Sequence, residues 1–158
     1  MTSFWLPDPE ATATLGGALA ATRPARAVVH LRGDLGAGKS SLARSLLRAL
    51  GVEGTIRSPT YTLVERYPLA WGGEAWHLDL YRIGDPGELE YLGLDADEVS
   101  LWLVEWPDRG QGALPAADLV IELAVKDEGR LATLAGVSDT GREWVAACEP
   151  RVGTSKQF

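Results

Sequence analysis

Gly33-Asp34-Leu35-Gly36-Ala37-Gly38-Lys39-Ser40 decides how this chain is read. It fits the pattern of glycine, four residues, glycine, lysine and then serine or threonine, in which a glycine-rich turn wraps so that successive backbone N–H groups point at one anion. In a chain of this composition roughly 0.004 such matches arise by chance. The flanks agree with the match. Before it, Ala27-Val28-Val29-His30-Leu31 is a short apolar run rich in β-branched residues, the pattern of a buried strand. After it, Leu42, Ala43, Leu46, Leu47 and Leu50 make one wide apolar stripe on a helix expected from Lys39 to Leu50, with Arg44 and Arg48 on the other side. Strand, loop and helix in that order predict a nucleoside triphosphate site: the helix adds its positive end, Lys39 a mobile charge for the β- and γ-phosphates, and Ser40 a hydroxyl placed for magnesium. Lys39 is one of only three lysines in an arginine-dominated chain, which fits a position where a point charge, not a rigid fork, is wanted.

The rest of the chain bounds that reading. Its 158 residues, 46% hydrophobic and 23% charged, make one domain's worth of globular protein, expected over residues 1–150 with a frayed tail over 151–158. A net charge of −7 excludes a general polyanion-coating module, so any nucleic-acid contact must be local or delegated to a partner. The single cysteine, Cys148, allows neither an internal disulfide nor a thiolate metal cluster and predicts the reducing cytosol. Phe4-Trp5-Leu6 is broken by Pro7-Asp8-Pro9, and no run approaches the ~18 apolar residues of a membrane span, so neither anchor nor signal peptide is expected.

Punctuation along the chain predicts the other elements. Asp8 as N-cap and Pro9 at the first helical position open a helix to Ala21. Gly51 stops the second helix, and Ser58-Pro59 prevents its resumption. Tyr61 to Tyr67 and Trp76 to Tyr81 read as strands, Pro86 to Leu92 as a short acidic helix opened by Asp85, and Leu101 to Trp106 as a buried strand. Leu119 to Val125 and Leu131 to Val137 predict a hairpin across Asp127-Glu128-Gly129, while Gly141 to Cys148 fits either helix or strand. The fold expected is α/β: a phosphate-loop NTPase-like three-layer sandwich with a mixed sheet and a C-terminal β-hairpin.

Hydrolysis or transfer needs, beyond the loop, a carboxylate at a neighbouring strand end to hold the metal or orient the attacking oxygen. Asp79, in His77-Leu78-Asp79-Leu80-Tyr81-Arg82, and Glu105, after Leu101-Trp102-Leu103-Val104, are placed that way; the alternative is an ion pair with Arg82 or Arg109. Thr60, in Ser58-Pro59-Thr60-Tyr61, lies where a γ-phosphate-sensing segment would sit, although a proline turn with a locally capping threonine is the simpler reading. Trp106 reads first as core, and His30 and His77 as satisfied histidines within strands. Arg44, Arg48 and Arg57 make either a small positive patch for tRNA or an acidic partner, or a solvated face; the latter needs no explanation.

In combination these blocks resemble one small family. Gly-Asp-Leu-Gly-Ala-Gly-Lys-Ser at 33 to 40, Ser-Pro-Thr-Tyr-Thr-Leu-Val-Glu at 58 to 65 and His-Leu-Asp-Leu-Tyr-Arg at 77 to 82 are similar to TsaE, the ATPase of bacterial threonylcarbamoyladenosine synthesis on tRNA. Glu88-Leu89-Glu90, Leu92-Gly93-Leu94 and Val104-Glu105-Trp106-Pro107 extend the likeness. The resemblance implies a cytoplasmic ATPase that uses ATP and Mg2+, and that works with TsaB and TsaD, the latter modifying adenosine 37 of tRNAs that read codons beginning with adenine. Its hydrolysis would reset that complex between turnovers, and tRNA would be met only through it. It also implies that Asp34, Leu35, Gly36, Ala37, Gly38, Lys39, Ser40 and Ser41 hold the phosphates, and that Ser40 and Glu105 handle magnesium. Asp79 would orient or deprotonate the water, and which of the two acids touches the metal stays open. Thr60 would belong to the sensing segment, Trp106 would lie near the nucleotide and Arg130 near its base or ribose. The family usually has threonine where Ser40 stands, and serine keeps the hydroxyl. Two other readings compete: a small-molecule kinase, which usually carries an arginine-rich lid that Arg109, Arg130 and Arg142 are too scattered to form, and a nucleotide-gated scaffold with incidental hydrolysis.

Overall fold

The computed structural model describes residues 1–92 and 99–152, with the side chains of 90–92 set aside. Among the described residues, seven strands form one sheet: β1 (Thr2–Leu6), β2 (Ala27–Arg32), β3 (Val64–Pro68), β4 (Glu74–Asp79), β5 (Val99–Glu105), β6 (Leu119–Lys126) and β7 (Gly129–Gly136). Their order across the sheet is β1-β7-β6-β2-β5-β4-β3. The four central strands β6, β2, β5 and β4 run parallel, and antiparallel pairs close both sides. The described residues also form helices α1 (Pro9–Ala21), α2 (Lys39–Ala49) and α3 (Asp139–Val152), and no helix among them is long and apolar enough to cross a membrane.

Alternation along the strands divides the core. Ala27, Val29 and Leu31 of β2, Leu101 and Leu103 of β5, and Leu119, Ile121 and Leu123 of β6 face the helices, meeting Leu15, Leu19, Leu42, Leu46, Leu47 and Trp144. Trp76, Leu78, Trp102 and Val104 face the other way and pack with Leu80, Ile83 and Leu89. Among the described residues that third layer holds the 3-10 turns Pro86–Leu92 and Pro107–Gly110. Both faces of β4 and β5 are thus covered, which is why their sequences read as nearly continuous apolar runs.

The expected start of α1 is present: Asp8 accepts from the Ala11 N–H at 2.9 Å, with Pro9 opening the helix. Its far end is closed by side chains, since the Thr22 hydroxyl donates to Ala18 O at 2.7 Å and the Trp144 indole to Leu19 O at 3.1 Å. Gly16 lets α1 lie against α2, because a Cβ there would stand 2.7 Å from Ser45 Cβ.

Several boundaries differ from the sequence reading. The strand expected from Tyr61 begins only at Val64: Leu63 donates to Pro59 O at 2.9 Å and takes a left-handed conformation (φ 70), so residues 59–63 form a turn. The strand expected to reach Tyr81 ends at Asp79, whose Oδ1 accepts the Tyr81 N–H at 3.0 Å and turns the chain. Trp106 lies outside β5, in the left-handed region (φ 57). The hairpin is antiparallel as expected, with Lys126 opposite Gly129. The ambiguous Gly141 to Cys148 stretch is helical within α3, which runs on through Arg151 to a buried Val152; of the expected tail only 153–158 lies outside the described residues, as does Gly93-Leu94. β1 was not expected at all.

Candidate functional site

The parallel register sets the site. β2 and β5 are neighbours, with Leu31 opposite Glu105, and β4 lies beyond with Asp79 opposite Glu105. The glycine loop leaves the end of β2, so both carboxylates and the loop open at the same edge of the sheet, where ligands of parallel α/β sheets bind. Gly33, Gly36 and Gly38 all have positive φ, at 144, 80 and 103°. Gly38 caps α2 with no side chain hydrogen-bonded to its amino end, which leaves the first-turn N–H groups directed at the loop's hollow.

Lys39 is buried, its ammonium folded back onto the carbonyl oxygens of Gly33 and, at 3.1 Å, Asp34. Trp106, thrown out of the strand by its left-handed backbone, sits with its ring centre 4.4 Å from that nitrogen. Burial lowers the Lys39 pKa below the usual lysine range, opposed by the negative charges of Glu105, Asp79 and Asp34. The Ser40 hydroxyl donates to Glu105 Oε2 at 2.9 Å. Asp79 Oδ2 accepts a long 3.4 Å bond from the Thr60 hydroxyl, itself 2.8 Å from Ser58 Oγ. Arg130 reaches across from β7 to donate to Gly36 O at 3.3 Å.

Leu35, Gly36, Gly38, Lys39, Ser40, Ser41, Thr60, Asp79, Glu105, Trp106 and Arg130 line one cleft of about 290 Å³. Asp34 and Ala37 instead line a neighbouring hollow of about 460 Å³ that shares Trp106 with the cleft. A further compartment of about 480 Å³ shares Gly38, Ser41 and Arg130 with the cleft and continues past Pro7, Asp8 and Thr12 to Arg44. Neither acid pairs with an arginine among the described residues; Arg82 lies over the Tyr61 ring at 4.8 Å and Arg109 over the Tyr81 ring at 5.1 Å. Arg48 ties down the turn after α2, donating to Val52 O and Gly54 O, both at 2.9 Å.

Two residues of the site escaped the sequence reading. Tyr81 joins the cleft wall with its ring edge-on to Trp106 at 5.0 Å. His77, read as a satisfied strand histidine, is 1% exposed with Nε2 2.6 Å from Glu105 Oε2, while its Nδ1 is buried without a partner among the described residues. The period of two along His77-Leu78-Asp79 was the available signal, since it puts His77 on the same sheet face as Asp79. His30 likewise has a buried Nε2 with no partner among the described residues.

No three His, Cys, Asp or Glu side chains among the described residues are grouped to hold a metal ion by themselves. The oxygens of Ser40, Glu105 and Asp79 instead fit magnesium, which is commonly held by one or two carboxylates together with the phosphates of a nucleotide.

Comparison with known proteins places the chain in a family. Residues 6–132 match the model of the family described as threonylcarbamoyl adenosine biosynthesis protein TsaE. The Haemophilus influenzae tRNA threonylcarbamoyladenosine biosynthesis protein TsaE is 43% identical over 122 residues, 76% of this chain and 77% of the relative. The protein of the same name from Streptomyces coelicolor is 36% identical over 141 residues, 84% of this chain and 93% of the relative. Among solved structures, that of Bacillus subtilus YdiB superposes with a TM-score of 0.72 at 26% identity, covering 96% of this chain and 95% of that one. By the family match over residues 6–132 and by these relatives, the chain belongs to the TsaE family, whose named members are proteins of tRNA threonylcarbamoyladenosine biosynthesis.

Proposed function

We propose that this chain is a magnesium-dependent, cytoplasmic ATPase of tRNA threonylcarbamoyladenosine biosynthesis that acts on a TsaB–TsaD complex and resets it between turnovers. The observation that carries the proposal is the Ser40–Glu105 hydrogen bond at the mouth of the glycine loop, because it brings the loop's hydroxyl and a strand-end carboxylate to one point beside Lys39. Magnesium, when bound there with the nucleotide between Ser40, Glu105 and Asp79, would neutralise charge on the β- and γ-phosphates. The chain's own residues do the rest. Lys39, already poised on loop carbonyls, exchanges them for phosphate oxygens, and the uncapped α2 amino end supplies further N–H donors. Asp79, oriented by the Tyr81 N–H and the Thr60 hydroxyl, accepts hydrogen bonds from the attacking water and takes its proton. The compartment continuing past Arg130 and Thr12 would receive base and ribose.

Phosphate release measured with TsaB, TsaD and tRNA present tests the proposal. Glu105→Ala and Asp79→Ala are each expected to lower turnover at least tenfold while nucleotide still binds, and to lower tRNA modification with it. Wild-type hydrolysis in both variants refutes the catalytic assignment. A phosphorylated metabolite in place of free phosphate points to a kinase, and modification that survives loss of hydrolysis points to a nucleotide-gated scaffold.

A further inference from the structure

We infer that His77 is a positioning residue that fixes which oxygen of Glu105 is presented to the cleft; the inference rests on the ATPase reading above. His77 and Asp79 on β4 and Glu105 on β5 project from the same face of the sheet, with His77 opposite Leu103 and Asp79 opposite Glu105 in the register. From that place the His77 ring lies beneath Glu105 with Nε2 2.6 Å from Oε2, both side chains being almost wholly buried at 2% and 4% exposure. The Ser40 hydroxyl donates to the same oxygen at 2.9 Å. Two donors on Oε2 stop the carboxylate from turning about its last bond and leave Oε1 as the oxygen free to ligate. Carboxylates and imidazoles lying behind ligand groups do this work in metal sites generally, and their loss costs about 10–100-fold in metal affinity or activity.

The other ring nitrogen argues against a purely structural role. Nδ1 is buried with no hydrogen-bond partner among the described residues, so the ring bears a desolvation cost that a phenylalanine would not. Neighbours on the same strand show what packing alone selects, since Ala75, Trp76 and Leu78 are buried without an orphaned polar atom. Among the described residues the bond to Glu105 is the one polar contact of the His77 ring that offsets this cost.

The test uses the full chain and three variants, with calorimetry of a non-hydrolysable ATP analogue in the absence and presence of Mg2+, and steady-state phosphate release. His77→Gln keeps an N–H donor within reach of Glu105, His77→Asn carries one too short to reach, and His77→Phe removes it while retaining burial. Metal-free affinity for the analogue is expected to stay within about threefold in all three, because the glycine loop is untouched. The Mg2+ concentration giving half-maximal enhancement of binding is expected to rise about tenfold in the Asn and Phe variants, with a fall in kcat of about 10–100-fold, and Gln is expected to restore both to within about fivefold of wild type. Equal behaviour of Gln and Asn, wild-type behaviour of Phe, or a parallel loss of metal-free affinity overturns the inference; if Phe does not fold, the Gln and Asn pair decides alone. A wild-type protein that fails to bind the magnesium nucleotide defeats the ATPase reading itself, whereas normal wild-type binding with an indifferent His77→Phe defeats only the positioning role.

Discussion

Replacing Gly33 by alanine should be far more damaging than replacing Gly36, although both belong to the same loop and both have positive φ. At Gly36 (φ 80) a Cβ would find nothing within 4 Å, so alanine meets only the left-handed backbone penalty of about 1–2 kcal/mol. At Gly33 (φ 144) the backbone lies where side chains are rarely tolerated, a strain of about 1–3 kcal/mol. The added methyl would also overlap the carbonyl oxygen of Leu123 and stand 3.3 Å from Ala37 Cβ. Leu123 cannot step aside, because it is paired with Ala132 in the β6–β7 ladder, so relief requires the end of β2 to move from β6. Adding overpacking of about 1–3 kcal/mol gives about 2–6 kcal/mol in total, a large fraction of a domain's usual 5–15 kcal/mol. Urea unfolding reads this directly: Gly33→Ala should lower the midpoint by about 2 M at unchanged slope, and Gly36→Ala by about 0.5–1 M. Equal midpoints for the two variants would falsify the claim that the loop is wedged against β6.

Other consequences follow from single contacts. Trp144→Phe keeps the aromatic packing but removes the donor to Leu19 O, and should cost about 1–3 kcal/mol in urea unfolding; an unchanged midpoint means that carbonyl needs no partner. Burial, with Glu149 adding, raises the Cys148 pKa to about 11, above its value in an unfolded chain. The corresponding stability is therefore fully present below about pH 8.5 and is lost as pH rises towards 11; Cys148→Ala should flatten this decline in unfolding midpoints measured at pH 7, 9 and 10.5. At the acid end the sign reverses: burial, with Arg32 beside it, lowers the His30 pKa, so that contribution is present above about pH 6.5 and is lost below it, and His30→Gln should be less acid-sensitive.

What could be read from the chain was what neighbouring residues encode. Asp8-Pro9 marks the start of α1 by capping chemistry, and the strand, glycine loop and leucine stripe of residues 27–50 are each a local pattern. The strand-end acids were legible because a carboxylate closing an apolar run is conspicuous. β1 was not, since its five residues become a strand only by pairing with β7 some 130 positions away, Thr2 opposite Leu134. The helical nature of α3 was obscured by Gly141 near its start and Pro150 inside it. His77 shows the same limit at the site: its bond to Glu105 spans 28 positions and depends on the β4–β5 register, which no local pattern specifies. Arg130 reaches Gly36 across 94 positions, and family resemblance, not spacing, pointed to it.

Calorimetric titration of the full chain with magnesium and ATP, for wild type beside Lys39→Ala, tests the phosphate-binding claim most directly. Wild type should give a saturable one-to-one isotherm, and the alanine variant, lacking the buried ammonium beside Trp106, should lose at least 100-fold in affinity while unfolding like wild type in urea. Absent heat with wild type, or an isotherm for Lys39→Ala that matches it, contradicts the account.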